Sequence, residues 1–502
     1  MATPRQFIFI MTDSQRWDMV NCYRRTGLQT PNLDRLAAGG VRFDRAYSCQ
    51  PLCGPARSAL FTGTWPHTNG SWANSLPLSE NCRTIGQRLT DAGLHAAYIG
   101  KWHLDGFDYF GRGQWPPGWD ARYWYDMRNY LDELSPADRH RSRQEATIQE
   151  DVSDDFTFGH RCSSRAIEFL DRHRDEDFFL VVSYDEPHGP YLCPKRFYDL
   201  YKDYEFPASP NVADTLADKP EHLRIWAGPR LTKDPAELRI RRPEYFGCNT
   251  FVDHEIGRVL DAIGRNCPAA AVAYTSDHGH MEMSHRLYIK GPAVFDEISR
   301  IPFIVRLPGE TPAGSVSPHP VSHIDVAQTV LDYFGLPDPG TMQGRSMLAA
   351  WRDPSARLND AVFMEFGRQG VESDGFGGFE PIRCVFDGRY KLAVNLLTSD
   401  ELYDVQDDPA EMTNLIDSPA HAAIRDRLHD RLLDWMNQTV DVFRGYHWHA
   451  RPWRKDVPPL TWHYTAGTRE RAVEPGEPHM LDYDTGLEPE NRVRGIHLRI
   501  EG

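Results

Sequence analysis

Short apolar runs alternate with amphipathic stretches through the first ~340 residues of this 502-residue chain, and this alternation constrains the fold more than any other feature. The stretches between the runs have helical spacing, as in "TPNLDRLAAGG", where Thr30 is a candidate N-cap and Pro31 the first helical residue. Such alternation predicts an α/β fold with a large, mostly parallel or mixed sheet sandwiched by helices. The runs predicted as strands are 6–13, 41–48, 95–103, 178–188, 269–279 and 301–309. The stretches predicted as helices are 30–40, 84–93, 160–174, 251–265 and 323–335.

The pattern changes from about residue 356. The segments "AVFMEFG", "IRCVFDGRYKLAVNL" and "DELYDV" predict strands of a smaller antiparallel unit, and "AAIRDRLHDRLLDWMNQTV" predicts a helix after them. We therefore predict a main catalytic domain over 1–355, an α+β subdomain with a small antiparallel sheet over 356–440, and a C-terminal extension over 441–502. The extension, rich in Trp, His and Arg, would pack on the body or on another subunit of a homo-oligomer, or it would shape a pocket.

Charge and apolar content exclude several classes of partner. The net charge is −16 and no long basic run appears, which argues against nucleic acid or an anionic membrane surface. The apolar run in "MATPRQFIFIMTD" is too short for a signal sequence, and no segment reaches the ~18 apolar residues of a membrane helix. We therefore expect a cytoplasmic protein. Nine cysteines without CxxC spacing indicate neither a disulfide framework nor a cysteine zinc site.

Several predicted strands end in polar, chemically capable residues. Because ligands in open α/β sheets bind outside the carboxyl ends of the strands, these residues could meet at one edge. Asp13, Asp277 and His278 offer carboxylates and an imidazole to a divalent cation such as Ca²⁺ or Mn²⁺, although each acid alone could equally cap a helix. The cationic candidates could form a pocket for a tetrahedral oxyanion. They are Arg57, Lys101, His103, His188, His285 and Lys290.

The stretch "SCQPLCGPARSALFTG" (48–63) raises a separate question about Cys53. The cysteine lies two residues before Pro55 and four before Arg57, at the start of a predicted helix. Three interpretations remain open at this point: a packed core cysteine, a thiolate nucleophile, or a cysteine that is converted to another group.

Five motifs in this chain resemble those of the type I sulfatases, within the alkaline phosphatase superfamily. "CGPAR" (53–57) fits the family's C-x-P-x-R pattern, and "GKWH" (100–103) fits its second signature. "SDHG", "KGP…F…RIPFIV" and "LYDVQDDPAEMTNL" follow in the expected order, so the resemblance spans residues ~5 to ~420. It implies an alkaline-phosphatase-like fold and hydrolysis of sulfate monoesters, either aryl sulfates or sulfated carbohydrates. It also implies conversion of Cys53 to Cα-formylglycine by a formylglycine-generating enzyme.

The resemblance implies a role for each candidate. Asp13, Asp277, His278 and the modified Cys53 would bind one divalent metal ion, Ca²⁺ in the first place, with Mn²⁺ or Mg²⁺ as alternatives. One hydroxyl of the hydrated aldehyde would attack sulfur, and the second would expel sulfate from the covalent sulfo-enzyme. The remaining roles are orientation of the nucleophile by Arg57, neutralisation of sulfate oxygens by Lys101 and Lys290, base catalysis by His103, acid catalysis by His188, and substrate binding by His285.

The chain departs from the common sulfatase pattern at the metal site. Many sulfatases have two adjacent aspartates where this chain has Asp13-Ser14, and the segment "SWANSLPL" offers Asn74 as a further ligand. Asn74 and the pair Asp277-His278 resemble the phosphonate monoester hydrolase branch, whereas the intact "GKWH" favours sulfate. Hydrolysis of phosphonate monoesters or phosphodiesters is therefore the alternative function. The segments 105–150 and 205–245 and the segment around Asp374 to Phe379 are expected to shape the substrate pocket.

Overall fold

The strands of the computed structural model, which describes residues 4–106, 109–234, 237–370 and 378–454, form three sheets. A seven-stranded sheet has the order β4-β5-β1-β6-β8-β2-β9, a three-stranded sheet β10-β3-β7, and a four-stranded sheet β11-β12-β13-β14. The strands are β1 Gln6–Thr12, β2 Val41–Phe43, β3 Ala46–Tyr47, β4 His95–Gly100, β5 Phe178–Ser183, β6 Ala271–Ser276, β7 Arg300–Ile301, β8 Phe303–Arg306, β9 Ser315–Ser317, β10 Val321–Ser322, β11 Val362–Phe366, β12 Ile382–Phe386, β13 Tyr390–Asn395 and β14 Glu401–Asp404.

Four parallel strands, β4, β5, β1 and β6, form one side of the large sheet, with β4 as its edge strand. β1 pairs in parallel with β5 and β6, and β4 pairs in parallel with β5. Their carboxyl ends therefore lie along one edge. β8 pairs antiparallel with β6 and with β2, which makes the sheet mixed.

Helices lie on both faces of this sheet and against the small antiparallel sheet. They are α1 Pro31–Ala38, α2 Cys53–Thr62, α3 Pro66–Asn69, α4 Ile85–Asp91, α5 Met127–Asp132, α6 Pro136–Arg141, α7 Phe158–Arg172, α8 Lys195–Asp199, α9 Glu221–Ala227, α10 Pro243–Asn266, α11 Asp296–Ser299, α12 Ile324–Tyr333, α13 Leu348–Arg352, α14 Ala422–Gln438 and α15 Tyr446–His449. Because side chains alternate along a strand, Phe7 and Phe9 of β1 join a core with α2, α4 and α12, whereas Ile8 and Ile10 join a core with α1, α7 and α10. Both faces of β1 are thus buried, as in other parallel sheets.

The small antiparallel sheet, β11 to β14, packs against α14. Val385 and Leu392 share a buried cluster with Leu428 and Leu432 of that helix, and Phe363 stacks on Trp435 with 4.8 Å between ring centroids. Residues that follow α14 continue the same packing, since Arg451 forms an ion pair with Asp400 at 2.8 Å. Residues 455–502, the remainder of the predicted C-terminal extension, lie outside the described residues.

The predicted fold class is confirmed by the layered sheet and the separate antiparallel sheet. Three details differ from the prediction, and one is that the run 301–309 is divided between β7 in the three-stranded sheet and β8 in the seven-stranded sheet. The run 41–48 forms two short strands in different sheets, because the chain turns at Asp44, whose N–H donates to Ser317 O at 2.9 Å. α10 begins at Pro243 rather than near residue 251, since proline suits the first helical position. The boundaries at 355 and 440 stay predictions. Among the described residues, no helix has both the length and the apolar character needed to cross a lipid bilayer.

Candidate active site

The candidate site lies at the carboxyl edge of the four parallel strands. Asp13 follows β1, Lys101 follows β4, Asp185 comes two residues after β5, and Asp277 follows β6. Hydrogen bonds between backbones continue past the strand ends, with Lys101 N donating to Ser183 O at 2.8 Å and Asp277 N to Thr12 O at 3.1 Å. The sheet therefore brings together segments that are distant in sequence and restricts the positions of their backbones.

Helix α2 places Cys53 against this edge. The entire helix is buried, and Cys53 is its first residue, so backbone N–H groups without intrahelical partners face the site. One of them, Gly54 N, donates to Asn74 Oδ1 at 2.9 Å. A Cβ on Gly54 would lie 3.3 Å from that same oxygen, so glycine permits this close approach. The predicted helix start at Cys53 is confirmed.

Four candidate metal ligands form one cluster. Single donor atoms of Asp13, Cys53, Asp277 and His278 all lie within 4.8 Å of one another, and all four residues are buried. Cys53 Sγ lies 3.3 Å from His278 Nε2 and 3.6 Å from Asp13 Oδ1. His278 Nδ1 lies 2.8 Å from Gly279 O, a partner to which it can only donate, so the lone pair of the neutral ring is on Nε2 and faces the cluster.

This donor set fits a divalent cation. Two carboxylates, the Nε2 lone pair and the residue at position 53 converge. Asn74 Oδ1 accepts from the N–H of Gly54, the residue next to Cys53, and retains a second lone pair. Ser14, which stands where a second aspartate is common, supplies no carboxylate. Its hydroxyl instead donates to Asp13 Oδ1 at 2.8 Å. The set therefore has two carboxylates rather than three, with an imidazole in addition.

Buried charges surround the two carboxylates. Arg57, which is fully buried, lies 3.2 Å from Asp13 Oδ2 and donates to Asp277 Oδ2 at 3.1 Å. Burial and the adjacent Asp13 raise the pKa of Asp277 to about 7. Burial would also raise the pKa of Asp13, but Lys101 and the other nearby cations outweigh it and hold that pKa well below its ordinary value. Arg57 thus spans both carboxylates and fixes their orientation.

Two lysines converge on position 53. Lys290 Nζ lies 2.7 Å from Cys53 Sγ and 3.1 Å from His278 Nε2, whereas Lys101 Nζ lies 4.0 Å from the sulfur. Burial and Asp13 act to raise the pKa of the Cys53 thiol, but the two lysines outweigh them and lower it to about 5. Any anionic group at this position would therefore be stabilised by two ammonium groups.

The candidate acid and base lie around Lys101. Its Nζ is 2.8 Å from Asp13 Oδ2 and 2.9 Å from Asp185 Oδ1, and it donates to the Tyr109 hydroxyl at 2.7 Å. Tyr109 OH lies 3.1 Å from His188 Nδ1. Asp185 and Tyr109 were not among the predicted site residues. Asp185 stands in "YDEPH", three residues before His188, and is another polar residue near a strand end.

His103 and His188 are both held as neutral imidazoles. Burial, with Lys101 and Arg57, lowers the pKa of His103 to about 3, and burial with Lys101 lowers that of His188 to about 4. His103 Nδ1 is buried and makes no hydrogen bond to the described residues. An unpartnered buried nitrogen next to these cations is available for proton transfer with a bound substrate.

His285 is held by residues that are not among the other candidates. Its Nδ1 is 2.7 Å from Asp214 Oδ2, its Nε2 is 3.2 Å from Asn211 Nδ2, and its ring stacks on Phe295 with 3.8 Å between centroids. The ring is fully buried and both of its nitrogens have partners, so it offers no free nitrogen to a substrate. Of the segments expected to shape the pocket, 105–150 supplies Tyr109, whereas Asp374 lies outside the described residues.

Comparison with known proteins identifies the class to which this site belongs. The family model described as Sulfatase matches residues 5–336, and the one described as N-sulphoglucosamine sulphohydrolase, C-terminal, matches residues 284–438. The chain belongs to the sulfatase family. It is 44% identical to the uncharacterized sulfatase YidJ of Escherichia coli over 96% of each chain. It is 26% identical to the choline-sulfatase of Rhizobium meliloti over 78% of each.

Solved structures show the same fold. The structure of BT4656 in complex with its substrate D-glucosamine-2-N,6-O-disulfate matches with a TM-score of 0.71 and 21% identity, over 88% of this chain and 99% of that one. The phosphonate monoester hydrolase of Agrobacterium radiobacter matches with a TM-score of 0.74 and 23% identity, over 87% and 96%. The protein is thus a sulfuric ester hydrolase with the alkaline-phosphatase-like fold of sulfatases, as the sequence motifs predicted.

Proposed function

We propose that this sulfatase hydrolyses sulfate monoesters to an alcohol and inorganic sulfate, with formylglycine at position 53 and one divalent ion held by Asp13, Asn74, Asp277 and His278. One observation carries the proposal: position 53 is both a member of the candidate metal cluster and the point on which Lys101 and Lys290 converge. Sulfate monoester hydrolysis needs a nucleophilic oxygen and cations for the developing charge, and both requirements meet at this residue. The hydrated aldehyde would supply that oxygen, and the ion would lower its pKa.

The residues around position 53 divide the remaining work. Lys101 and Lys290 contact the sulfate oxygens and neutralise the charge that develops on them. Arg57 contacts the carboxylates of both Asp13 and Asp277, keeps them in fixed positions and orients the nucleophile. His103, whose Nδ1 has no partner among the described residues, accepts a proton from the second hydroxyl of residue 53. Loss of that proton releases sulfate.

His188 protonates the leaving oxygen in this proposal. In the free site burial and Lys101 lower its pKa to about 4, so the ring is neutral at neutral pH. An incoming sulfate ester carries a negative charge, which raises the pKa of a nearby imidazole. Tyr109 OH, 3.1 Å from Nδ1, limits the orientations of the ring. Substrate binding therefore favours the protonated form that an acid catalyst requires.

A sulfated saccharide is the substrate class that we propose, with aryl sulfates as the alternative. Aromatic rings lie beside the segment that carries Asn74: Trp72 is 5.8 Å from Phe443 between centroids, and Phe443 is 6.0 Å from Phe379. Phe379 is 45% exposed. Exposed aromatic faces offer large apolar contacts to a sugar ring. The substrate of BT4656, a disulfated glucosamine, belongs to this class.

Phosphonate monoester or phosphodiester hydrolysis is the second candidate. The observation that favours it is the set of candidate metal ligands. His278 beside Asp277, and Asn74 near Cys53, resemble the ligands of the phosphonate monoester hydrolase branch. Against it, Lys101 and His103 both lie in the site.

We propose Ca²⁺ as the ion because oxygen donors dominate the set of ligands, with Mn²⁺ or Mg²⁺ as alternatives. Maturation by a formylglycine-generating enzyme, a cytoplasmic location and a homo-oligomeric state complete the proposal.

A paired kinetic assay tests the substrate class. Protein co-expressed with a formylglycine-generating enzyme and loaded with Ca²⁺ is given a nitrophenyl sulfate and a nitrophenyl phosphonate monoester, which share one leaving group. We expect the larger kcat/KM for the sulfate, and a further increase for a 6-O-sulfated amino sugar. A larger kcat/KM for the phosphonate would instead establish the second candidate.

A further inference from the structure

Three groups of histidine and carboxylate side chains outside the active site place their donor atoms within 4.8 Å of one another, as far as the structure describes the chain. Two already contain arginines. Arg383 pairs with Asp441 beside His67 and Glu365, and the group of Asp154, His254 and Glu255 has Arg196 and Arg258 as partners. The third group consists of His95, His173 and Glu176, and the ion pairs described for Glu176 are with these two histidines alone.

The donor atoms of this third group converge on one point. Glu176 Oε2 lies 2.9 Å from His173 Nδ1 and 3.6 Å from His95 Nδ1. Ligand atoms bound to one zinc ion at about 2.0–2.1 Å in tetrahedral geometry are separated by about 3.3 Å. The observed separations lie on either side of that value, so small side-chain shifts would suffice.

The far nitrogen of each ring has its own partner. His95 Nε2 lies 2.7 Å from Asp120 Oδ2, and His173 Nε2 lies 2.7 Å from Tyr123 OH. Metal-bound histidines commonly donate their second N–H to a carboxylate or another acceptor, which fixes the tautomer. The hydroxyl of Tyr123 can serve as donor or acceptor, so it accommodates His173 with or without an ion.

Asp120 leaves an electrostatic conflict at His95. A carboxylate on Nε2 places the proton of a neutral ring on that nitrogen, so the lone pair of Nδ1 faces Glu176 Oε2 at 3.6 Å. Two acceptors at this distance have no hydrogen between them and repel each other. A metal cation between them, or a second proton on the ring, removes the conflict.

The rings are held in place but remain accessible. His95 and His173 stand edge to face with 4.6 Å between centroids, and both pack on Phe169 of α7. The side chains of His95 and His173 are 21% and 14% exposed, and that of Glu176 is 54% exposed. An ion from solvent can therefore reach donors whose positions packing has already restricted.

We propose that His95, His173 and Glu176 form a second metal site, which binds Zn²⁺ through two imidazoles and one carboxylate. Two imidazoles beside a single carboxylate favour Zn²⁺, Cu²⁺ or Ni²⁺ over Ca²⁺ and Mg²⁺, whereas oxygen donors dominate the active site, so the two sites favour different ions. His95 begins β4, whereas Lys101 follows its end, so the two sites lie at opposite ends of this strand. The ion would join the loop after α7 to the edge strand β4 and stabilise their contact without entering the hydrolysis.

Zinc titration of matched variants tests this site. The full chain is stripped with a chelator, reloaded with excess Ca²⁺ to fill the oxygen-rich active site, and titrated with Zn²⁺ in competition with a chromophoric chelator. Glu176→Gln removes the carboxylate ligand. Glu168→Gln removes an equally exposed acid of α7, whose side chain is 52% exposed and pairs with Arg172. We expect Glu176→Gln to weaken zinc binding at least about tenfold and Glu168→Gln to leave it unchanged.

Two outcomes would overturn the proposal: no zinc binding to the Ca²⁺-loaded wild type, or equal zinc affinity in Glu176→Gln and wild type. His173→Gln provides an independent second variant with the same expected loss. Hydrolysis of an aryl sulfate before zinc addition should be equal in all variants, which shows that each is folded. A proton rather than a metal at His95 would appear as the first of the two outcomes.

Discussion

At the scale of single residues, the charged groups around position 53 distinguish it from an ordinary core cysteine. Lys290 Nζ lies 2.7 Å from the sulfur of the encoded cysteine, and the proposed metal ligands Asp13 and His278 lie within 3.6 Å of it. A structural cysteine in a core needs no such charges. Cys384, buried in the small sheet, provides the contrast, since burial there raises the pKa of its thiol well above its ordinary range.

Removal of either lysine should lower the rate of hydrolysis. We expect Lys290→Ala and Lys101→Ala each to reduce kcat for an aryl sulfate by about 10²–10³, because each removes a preorganised cation from the developing charge. Steady-state kinetics at saturating Ca²⁺ measure this effect. Lys195→Ala on α8, which removes a lysine paired with Asp199 near the surface, should leave kcat unchanged. Wild-type rates in Lys290→Ala would remove that residue from the mechanism.

Much of the site could be predicted at this scale, and the exceptions have a physical reason. Asp13, Lys101 and Asp277 stand at strand ends, a position that the apolar runs before them reveal. His278 and His285 follow the same strand seven residues apart, and no local pattern separates their environments. His285 is held by Asn211 and Asp214, which come from a segment more than seventy residues away. Contacts of that kind depend on tertiary structure and leave no local sequence signal.

At the scale of elements, the approach of β4 to β5 positions Lys101. Gly100 ends β4 with φ 120°, and a Cβ there would lie 1.8 Å from Ser183 O. Gly100→Ala should therefore force the strands apart, destabilise the protein by about 1–3 kcal/mol beyond the cost of the positive φ, and shift Lys101. Gly93→Ala is the control, because it has φ 80° with nothing within 4 Å. Chemical denaturation compares the two, and equal losses of stability would contradict the proposed clash.

Helix α14 carries a buried titratable group whose effect on stability has a defined sign. Burial lowers the pKa of His429 from an ordinary value of 6.5 to about 4. Below pH 6.5 the unfolded chain binds a proton at this residue that the folded chain does not bind until about pH 4. Acidification through this window therefore destabilises the fold, by up to about 1.4 kcal/mol per pH unit for one group.

His429→Gln should remove that contribution. The free energy of unfolding of the variant, measured by urea denaturation between pH 7 and pH 4, should decrease less steeply than that of the wild type. At pH 7 the variant can be less stable, because His429 Nε2 lies 2.7 Å from Trp448 O. The comparison therefore concerns the slope alone, and parallel curves would show that His429 titrates equally in both states.

At the scale of the whole molecule, the alternation of strands and helices predicted the layered fold, but it could not give the order of strands. β1 lies between β5 and β6, which are separated from it by more than 160 residues of sequence. Pairing over such distances is decided by which buried faces match, as Ile8 does with Leu180 and Val272. β8, which pairs antiparallel with both of its neighbours, is as apolar in sequence as the four parallel strands.

Ca²⁺ should stabilise the whole molecule through the active site. The folded chain brings Asp13 and Asp277 together, whereas the unfolded chain does not, so binding favours the fold by about 2.7 kcal/mol at a Ca²⁺ concentration of about 100 Kd. Calorimetry should show a higher Tm with Ca²⁺ than with chelator at matched ionic strength. Asp277→Asn should lose most of this increase. An equal increase in the variant would place the ion elsewhere.

The proposed mechanism requires residue 53 to be formylglycine, and the mass of one peptide shows whether the conversion has occurred. The protein is co-expressed with a formylglycine-generating enzyme, digested, and the peptide that contains residue 53 is weighed. We expect the mass of formylglycine in place of cysteine. The converted fraction should scale with sulfatase activity, and thiol alkylation should leave that activity unchanged. An unmodified thiol in a protein that hydrolyses sulfate esters, with activity abolished by alkylation, would contradict the account and identify Cys53 itself as the nucleophile.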